Sequence, residues 1–267
     1  MNFFHAVLLG IIQGLTEFIP VSSTAHLLIA QHFLGLPADD ASFAFDVLIQ
    51  LGTLLALIIY FWKDLILLIK AIFARPLSTP ENKIAWYIII GVIPALLAGY
   101  LLKNAVEGLF KNQLLEAAIR LLSAALLLFL AEWVGRRTRT LDSMTWLDAL
   151  IVGLFQILAV FPGASRSGTT ISGGMLRGFD RPAAARFAFL MSIPVLLAAG
   201  AYEMKDVFKL PHLGTFLPLL IVGFILAAVV GWFSIKWLLG YLNKNSLYVF
   251  AAYCAAVGII CLIFLFV

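Results

Sequence analysis

Apolar residues run through most of the chain, and the few interruptions mark its organisation. Two of them lie inside apolar sequence: QGLTEFIPVSSTAH at residues 13–26, within the segment 3–35, and FPGASRSGTT at 161–170, within 145–178. The apolar flanks of each are too short to cross the hydrocarbon, which takes about 20 residues. Each segment is therefore expected to be a re-entrant hairpin with a broken helix at its tip. Pro20 cannot extend a helix, and Ser22, Ser23 and Thr24 offer cap hydroxyls for a new one with His26 in its first turn. In the second break a new helix is expected from about Thr169. Uninterrupted crossings are predicted at 41–62, 84–102 and 113–133, then at 182–202, about 215–240 and 247–267. Tyr60, Phe61 and Trp62 end the first of these as an interfacial aromatic belt would. Gly223, Ala227 and Gly231 recur every fourth residue, a pattern for close helix packing.

The two halves resemble each other. Placing Gly10 on Gly153 without a gap pairs Gln13 with Gln156, Leu15 with Leu158, Phe18 with Phe161 and Ser22 with Ser165. With a one-residue drift, Phe43-Ala44-Phe45 falls on Phe187-Ala188-Phe189, and Lys63-Asp64 returns as Lys205-Asp206. The chemistry has diverged: Glu17 faces Val160, Ser23 faces Arg166 and His26 faces Thr169. A duplicated membrane protein with paired broken segments is expected to bind its ligand between them. An odd number of crossings per half inverts the second half relative to the first. The expected fold is an all-α integral membrane protein with an inverted-topology repeat, each half one re-entrant broken-helix hairpin plus three transmembrane helices. It forms a single membrane domain over 1–267, with repeats at 1–133 and 134–267. The basic run Gly135-Arg136-Arg137-Thr138-Arg139 assigns its loop to the cytoplasm, placing Asp39 outside and Arg137 inside.

Composition agrees: 63% hydrophobic and 12% charged residues exclude a soluble domain of this length. The formal charge of +4 sits in short loops, with no basic patch interleaved with aromatics, so nucleic acid is not an expected partner. The opening MNFFHAVLLG lacks the basic region of a cleavable signal, so it is expected to be retained. Cys254 and Cys261, seven apart in one apolar run, are expected to be free thiols.

Ionisable groups at membrane depth are costly and point to function. In the second break, glycines, hydroxyls and a helix start suit an oxyanion, and Arg166 can grip phosphate oxygens bidentately. The first break adds a second positive helix end through Ser22, Ser23 and Thr24, so a highly charged anion is expected. Glu17 repels phosphate by itself. It fits if it holds Arg166, binds a bridging divalent cation, or takes a proton from a nucleophile, three roles the residues leave open. Gln13 shares its helix face. His26 suits a proton shuttle. Asp46 lies one turn into a crossing and is as well placed for a cap as for a cavity wall. His5, His32 and His212 are expected at interfaces.

QGLTEFIPVSSTAH and PGASRSGTT resemble the two signature motifs, (E/Q)xxxE and PGxSRSxxT, of the bacterial undecaprenyl-diphosphatase family of bacitracin-resistance proteins. Length and hydropathy fit along the whole chain. The resemblance implies removal of the terminal phosphate of undecaprenyl diphosphate, regenerating the lipid carrier of peptidoglycan synthesis in the bacterial cytoplasmic (inner) membrane, with bacitracin resistance as a consequence. Carried over by position, the family's functional residues are Gln13, Glu17, Ser23, His26, Ser165, Arg166 and Thr170. The resemblance also implies a divalent cation, Mg²⁺ or Ca²⁺, although glutamine at position 13 removes a second carboxylate.

On this reading Glu17, Ser23, His26 and Arg166 are catalytic, and Gln13, Ser22, Thr24, Ser165, Ser167, Gly168 and Thr170 bind a polyprenyl diphosphate. Ser23 acts as nucleophile or positions water; both stay open. The cavity is expected to open to the outer side, and a homodimer is left open. The rival class is a flippase or secondary transporter of a phosphate-bearing substrate, which the repeat architecture alone would favour.

Overall fold

The computed structural model describes the chain apart from residues 38, 75–77, 107–111, 160–163, 208–212 and 266–267. Side chains are not described at 40, 103–106, 206, 213 and 215. Among the described residues the regular structure is helical, with one short 3₁₀ turn at Leu141–Ser143 and a single parallel bridge between Arg139 and Phe179.

The first hairpin is α1 (Phe3–Thr16) and α2 (Ser23–Phe33); the second is α7 (Trp146–Ile157) and α8 (Arg166–Leu176). At ~1.5 Å per residue none of these four reaches across a bilayer. Five helices are long and apolar enough to do so: α3 (Asp40–Tyr60), α5 (Pro80–Val106), α6 (Gln113–Val134), α9 (Arg181–Val207) and α10 (Leu213–Leu242). The expected sixth crossing, α11 (Tyr248–Phe264), is a shorter apolar helix of 17 residues, at the lower edge of the length that can span. A further helix, α4 (Trp62–Ile72), occupies sequence between two of the predicted crossings, where no helix was expected. Its charges, Lys63, Asp64 and Lys70, are interspersed with Leu and Ile, and Trp62, Leu67 and Ile69 remain exposed, as in an interfacial helix. Helix α8 begins at Arg166, three residues before the expected Thr169, because Ser165 caps it by accepting from Gly168 N–H at 3.2 Å.

Lipid tails are as apolar as leucine, so helices associate in a bilayer chiefly through close packing and internal hydrogen bonds. Packing this close occurs at glycines on the hairpins. A Cβ on Gly10 of α1 would stand 2.7 Å from the carbonyl oxygen and 3.0 Å from the Cα of Gly223 on α10. A Cβ on Gly153 of α7 would stand 2.9 Å from the carbonyl carbon and 3.0 Å from the Cα of Gly91 on α5. Each hairpin thus sits in contact with a long helix from the other half of the sequence. Gly14 extends the first crossing onto Ala227 and Gly231, so the small-residue face of α10 receives α1. Helix α6 packs against both α2 and α8 and joins the hairpins laterally.

At the end where α6 gives way to α7, two arginines of the basic run are paired internally. Arg137 and Arg181 pair with Glu132, which also accepts from Leu247 N–H at 3.0 Å. Arg139 and Arg177 each pair with Asp148 at 2.7 Å. These carboxylates are buried, so their partners are required: an unpaired charge there would cost several kcal/mol, of order 3–5. Cys254 and Cys261 are free and buried.

Candidate active site

Helix α1 ends because Pro20 lies ahead, and Glu17 is its C-cap, donating N–H to Gln13 O at 3.0 Å. The chain then turns through Ser22, which adopts φ 69°, ψ 94°, a left-handed conformation unusual for a residue with a Cβ. That turn sets Ser23 as the first residue of α2 and aims its hydroxyl back at α1.

Ser23 Oγ donates to Glu17 Oε2 at 2.6 Å, a short charge-assisted bond. Gln13 Nε2 donates to the same oxygen at 3.0 Å and also reaches Thr53 Oγ1 on α3 at 3.4 Å. The spacing of Gln13 and Glu17 places both on one face of α1, as expected, and both are buried. Glu17 Oε1 faces Arg166 Nη1 at 3.6 Å. That nitrogen is buried and makes no hydrogen bond to a described residue, so it is a donor awaiting an acceptor.

The second break comes up to the first. A Cβ on Gly168 would stand 3.8 Å from the Pro20 carbonyl oxygen and 3.1 Å from Ser165 Cβ. The N-termini of α2 and α8 therefore converge, each with its positive dipole end. The corner at Phe161-Pro162-Gly163 lies outside the described residues.

Between the two helix ends is a polar cavity of about 330 Å³, counted with the open space at its mouth. Glu17, Ser22, Ser23, Thr24, Ser165 and Arg166 line it, together with Arg120 of α6. A second hollow shares Glu17 and Arg166 and adds Ser167, Thr170 and Ser192. Thr169 and Thr170 hydroxyls both donate to the Arg166 carbonyl oxygen, at 2.9 and 2.8 Å, bracing the backbone that carries the guanidinium. Ser165 and Ser167 hydroxyls lie 3.2 Å apart.

His26 is placed differently from the rest. Its Nδ1 lies 2.8 Å from the Ser22 carbonyl oxygen and its Nε2 2.8 Å from Tyr253 OH, and the two rings stack at 5.7 Å with 6° between planes. A carbonyl oxygen only accepts, so Nδ1 carries the proton and Nε2 accepts from the tyrosine. His26 makes no hydrogen bond to Ser23 or Glu17, whose contact is complete without it. Asp46 accepts from Gln31 Nε2 at 3.0 Å. His212 lies outside the described residues.

Sequence reasoning did not single out Arg120, Tyr253 or Thr53. Arg120 carried a usable signal, as a charged side chain seven residues into an apolar crossing. Tyr253 and Thr53 are ordinary residues for their helices and gave none.

The carboxylates bear on the divalent cation. Among the described residues no group of three His, Cys, Asp or Glu side chains converges, and Glu17 is the carboxylate in the cavity lining. Its Oε2 is already committed to Ser23 and Gln13. This donor set does not suit a resident ion held by protein, but it suits Mg²⁺ or Ca²⁺ arriving on phosphate oxygens and keeping its waters.

The family described as "Bacitracin resistance protein BacA" matches residues 6–260. Among curated relatives, the undecaprenyl-diphosphatase of Anaeromyxobacter dehalogenans (strain 2CP-1 / ATCC BAA-258) is 44% identical over 265 residues, covering 97% of this chain and 90% of the relative. Undecaprenyl-diphosphatases of Chlorobium phaeovibrioides and Methanosphaera stadtmanae are each 40% identical, covering 99% and 98% of this chain and 98% of their own.

Proposed function

The chain belongs to the bacitracin resistance protein BacA family, and from that premise we infer that it hydrolyses undecaprenyl diphosphate to undecaprenyl phosphate and inorganic phosphate. The observation that carries the mechanism is the bond from Ser23 Oγ to Glu17 Oε2 at 2.6 Å, beside Arg166 Nη1, which makes no hydrogen bond among the described residues. Glu17 accepts the Ser23 proton as Oγ attacks the terminal phosphorus. Arg166 and the N–H groups at the start of α8 and α2 stabilise charge on the transferring phosphoryl oxygens. Water then releases phosphate from Ser23. Gln13, anchored by Thr53, fixes the Glu17 rotamer, and His26 with Tyr253 braces the turn at Ser22 through its carbonyl oxygen. A divalent cation arriving on the diphosphate oxygens with its waters would supply charge neutralisation, leaving Glu17 to take the Ser23 proton.

Supporting the inverted-repeat reading, with halves 1–133 and 134–267, are the paired glycine crossings: α1 on α10 and α7 on α5 are related by the same Gly10–Gly153 correspondence that aligns the sequences. The cavity opens to the outer side of the bacterial inner membrane in this reading. Arg120 lies seven residues, roughly 10 Å, along α6 from its outward end. The polyprenyl tail stays in the bilayer, and the product returns to peptidoglycan synthesis.

Phosphate release from a polyprenyl diphosphate by purified protein in detergent tests this function, since hydrolysis needs no second compartment and transport does. Wild type is expected to turn over and Ser23→Ala to fall to background. Near-normal turnover by Ser23→Ala would end the covalent mechanism, and an inactive wild type in the presence of Mg²⁺ or Ca²⁺ would return the flippase reading.

A further inference from the structure

A diphosphate has two phosphorus centres, and the residues assigned above account for one of them. Ser23, Glu17 and Arg166 all converge on the phosphate under attack. The α6 wall of the same cavity carries Arg120, whose side chain is 13% exposed. Its Nε and Nη2 donate to Glu116 Oε1 at 3.0 and 2.8 Å, one helical turn away. An arginine in an apolar crossing is expensive, and a pairing with its own helix neighbour is worth only a few tenths of a kcal/mol, about 0.3–0.5, by itself. Retention of such a pair on a cavity wall calls for a use. Helix α6 also packs against both α2 and α8, so it faces the two half-sites together.

We propose that Arg120 binds the lipid-linked phosphate of the substrate and stabilises it as the leaving group. This rests on the phosphatase reading and deepens it. When the terminal phosphorus is attacked, its bond to the bridging oxygen breaks, and that electron pair stays on the lipid phosphate. Negative charge therefore grows on the phosphate that Arg166 does not hold. Arg120 meets it there, and Glu116 keeps the guanidinium oriented and its charge offset while the cavity is empty. The division of labour makes the site one for a diphosphate: a single phosphate engages one arginine, a diphosphate both.

The test separates the two arginines by their products. Wild type, Arg120→Gln, Arg120→Lys and Arg166→Gln are purified in detergent. Phosphate release from a polyprenyl diphosphate is measured with inhibition by a polyprenyl monophosphate and by inorganic phosphate, and direct binding of the monophosphate is measured without turnover. Arg120→Gln is expected to lose about 10- to 100-fold in kcat/KM and to weaken binding of the monophosphate by about tenfold, leaving inhibition by inorganic phosphate unchanged. Arg166→Gln is expected to weaken inorganic phosphate preferentially. Arg120→Lys keeps the charge without the fork and should recover part of the loss, which a folding defect would not show. The proposal is overturned if Arg120→Gln binds the monophosphate as wild type does, or if it weakens both products equally. A wild type that binds the monophosphate through Arg120 yet releases no phosphate would overturn the phosphatase reading instead.

Discussion

Glu17→Gln is the substitution that most directly probes the chemistry. The amide is nearly isosteric with the carboxylate, so the α1 C-cap and the packing stay in place. The hydrogen bonds cannot all survive. Glu17 Oε2 accepts from both Ser23 Oγ and Gln13 Nε2, while Oε1 faces Arg166 Nη1 at 3.6 Å. Whichever way the new NH₂ group turns, it meets a donor: Gln13 on one side or the guanidinium on the other. More important, an amide does not take the Ser23 proton. Loss of a positioned general base costs about 10²- to 10⁴-fold, or roughly 3–5 kcal/mol of barrier. Removing a negative charge beside the phosphate site works in the opposite direction on binding, so KM is expected to stay level or fall. Steady-state phosphate release should therefore show kcat down by at least a hundredfold without a rise in KM. The double variant Glu17→Gln/Ser23→Ala should be no slower than the slower single one, because base and nucleophile act as a unit. A variant within fivefold of wild-type kcat would refute the assignment. A large rise in KM at unchanged kcat would move Glu17 from proton acceptor to anchor of a cation–diphosphate complex.

Two other substitutions test how the scaffold holds the site. Gly153→Ala forces α7 off α5, since its Cβ would stand 2.9 Å from Gly91 C where ordinary contact begins at 3.4 Å. A cost of about 1–3 kcal/mol is expected, read as a lower melting temperature in detergent, with activity falling as Arg166 shifts; unchanged melting and turnover would show that the crossing is slack. Tyr253→Phe removes the donor to His26 Nε2 and should lower kcat about three- to tenfold, the worth of one net hydrogen bond. If His26→Ala is inactive while Tyr253→Phe is silent, the tyrosine does not position the imidazole.

Much of this arrangement was legible in the sequence because breaking a helix inside apolar sequence takes particular residues. Pro20 followed by three hydroxyls located the turn and the start of α2, and Glu17 and Arg166 were conspicuous as charges without a water-facing loop to live in. That they would lie together followed from the paired breaks. The placement of His26 did not follow: its partner Tyr253 is 227 residues away, on a helix whose sequence reads as uniform apolar filler. Helix α4 was missed because lysine and aspartate every few residues look like a loop when counted by charge, though the same spacing suits a helix lying at an interface. The early start of α8 follows from the cap at Ser165, whose hydroxyl accepts from Gly168 N–H.

The reciprocal seating of the hairpins means that neither end of the chain can assemble the site alone. A piece ending at Val134 carries α1 but not the glycine face of α10 that receives it, and a piece starting there carries α7 but not Gly91 of α5. The acid and the guanidinium therefore meet only when both stretches are present and each lends the other a helix to rest on.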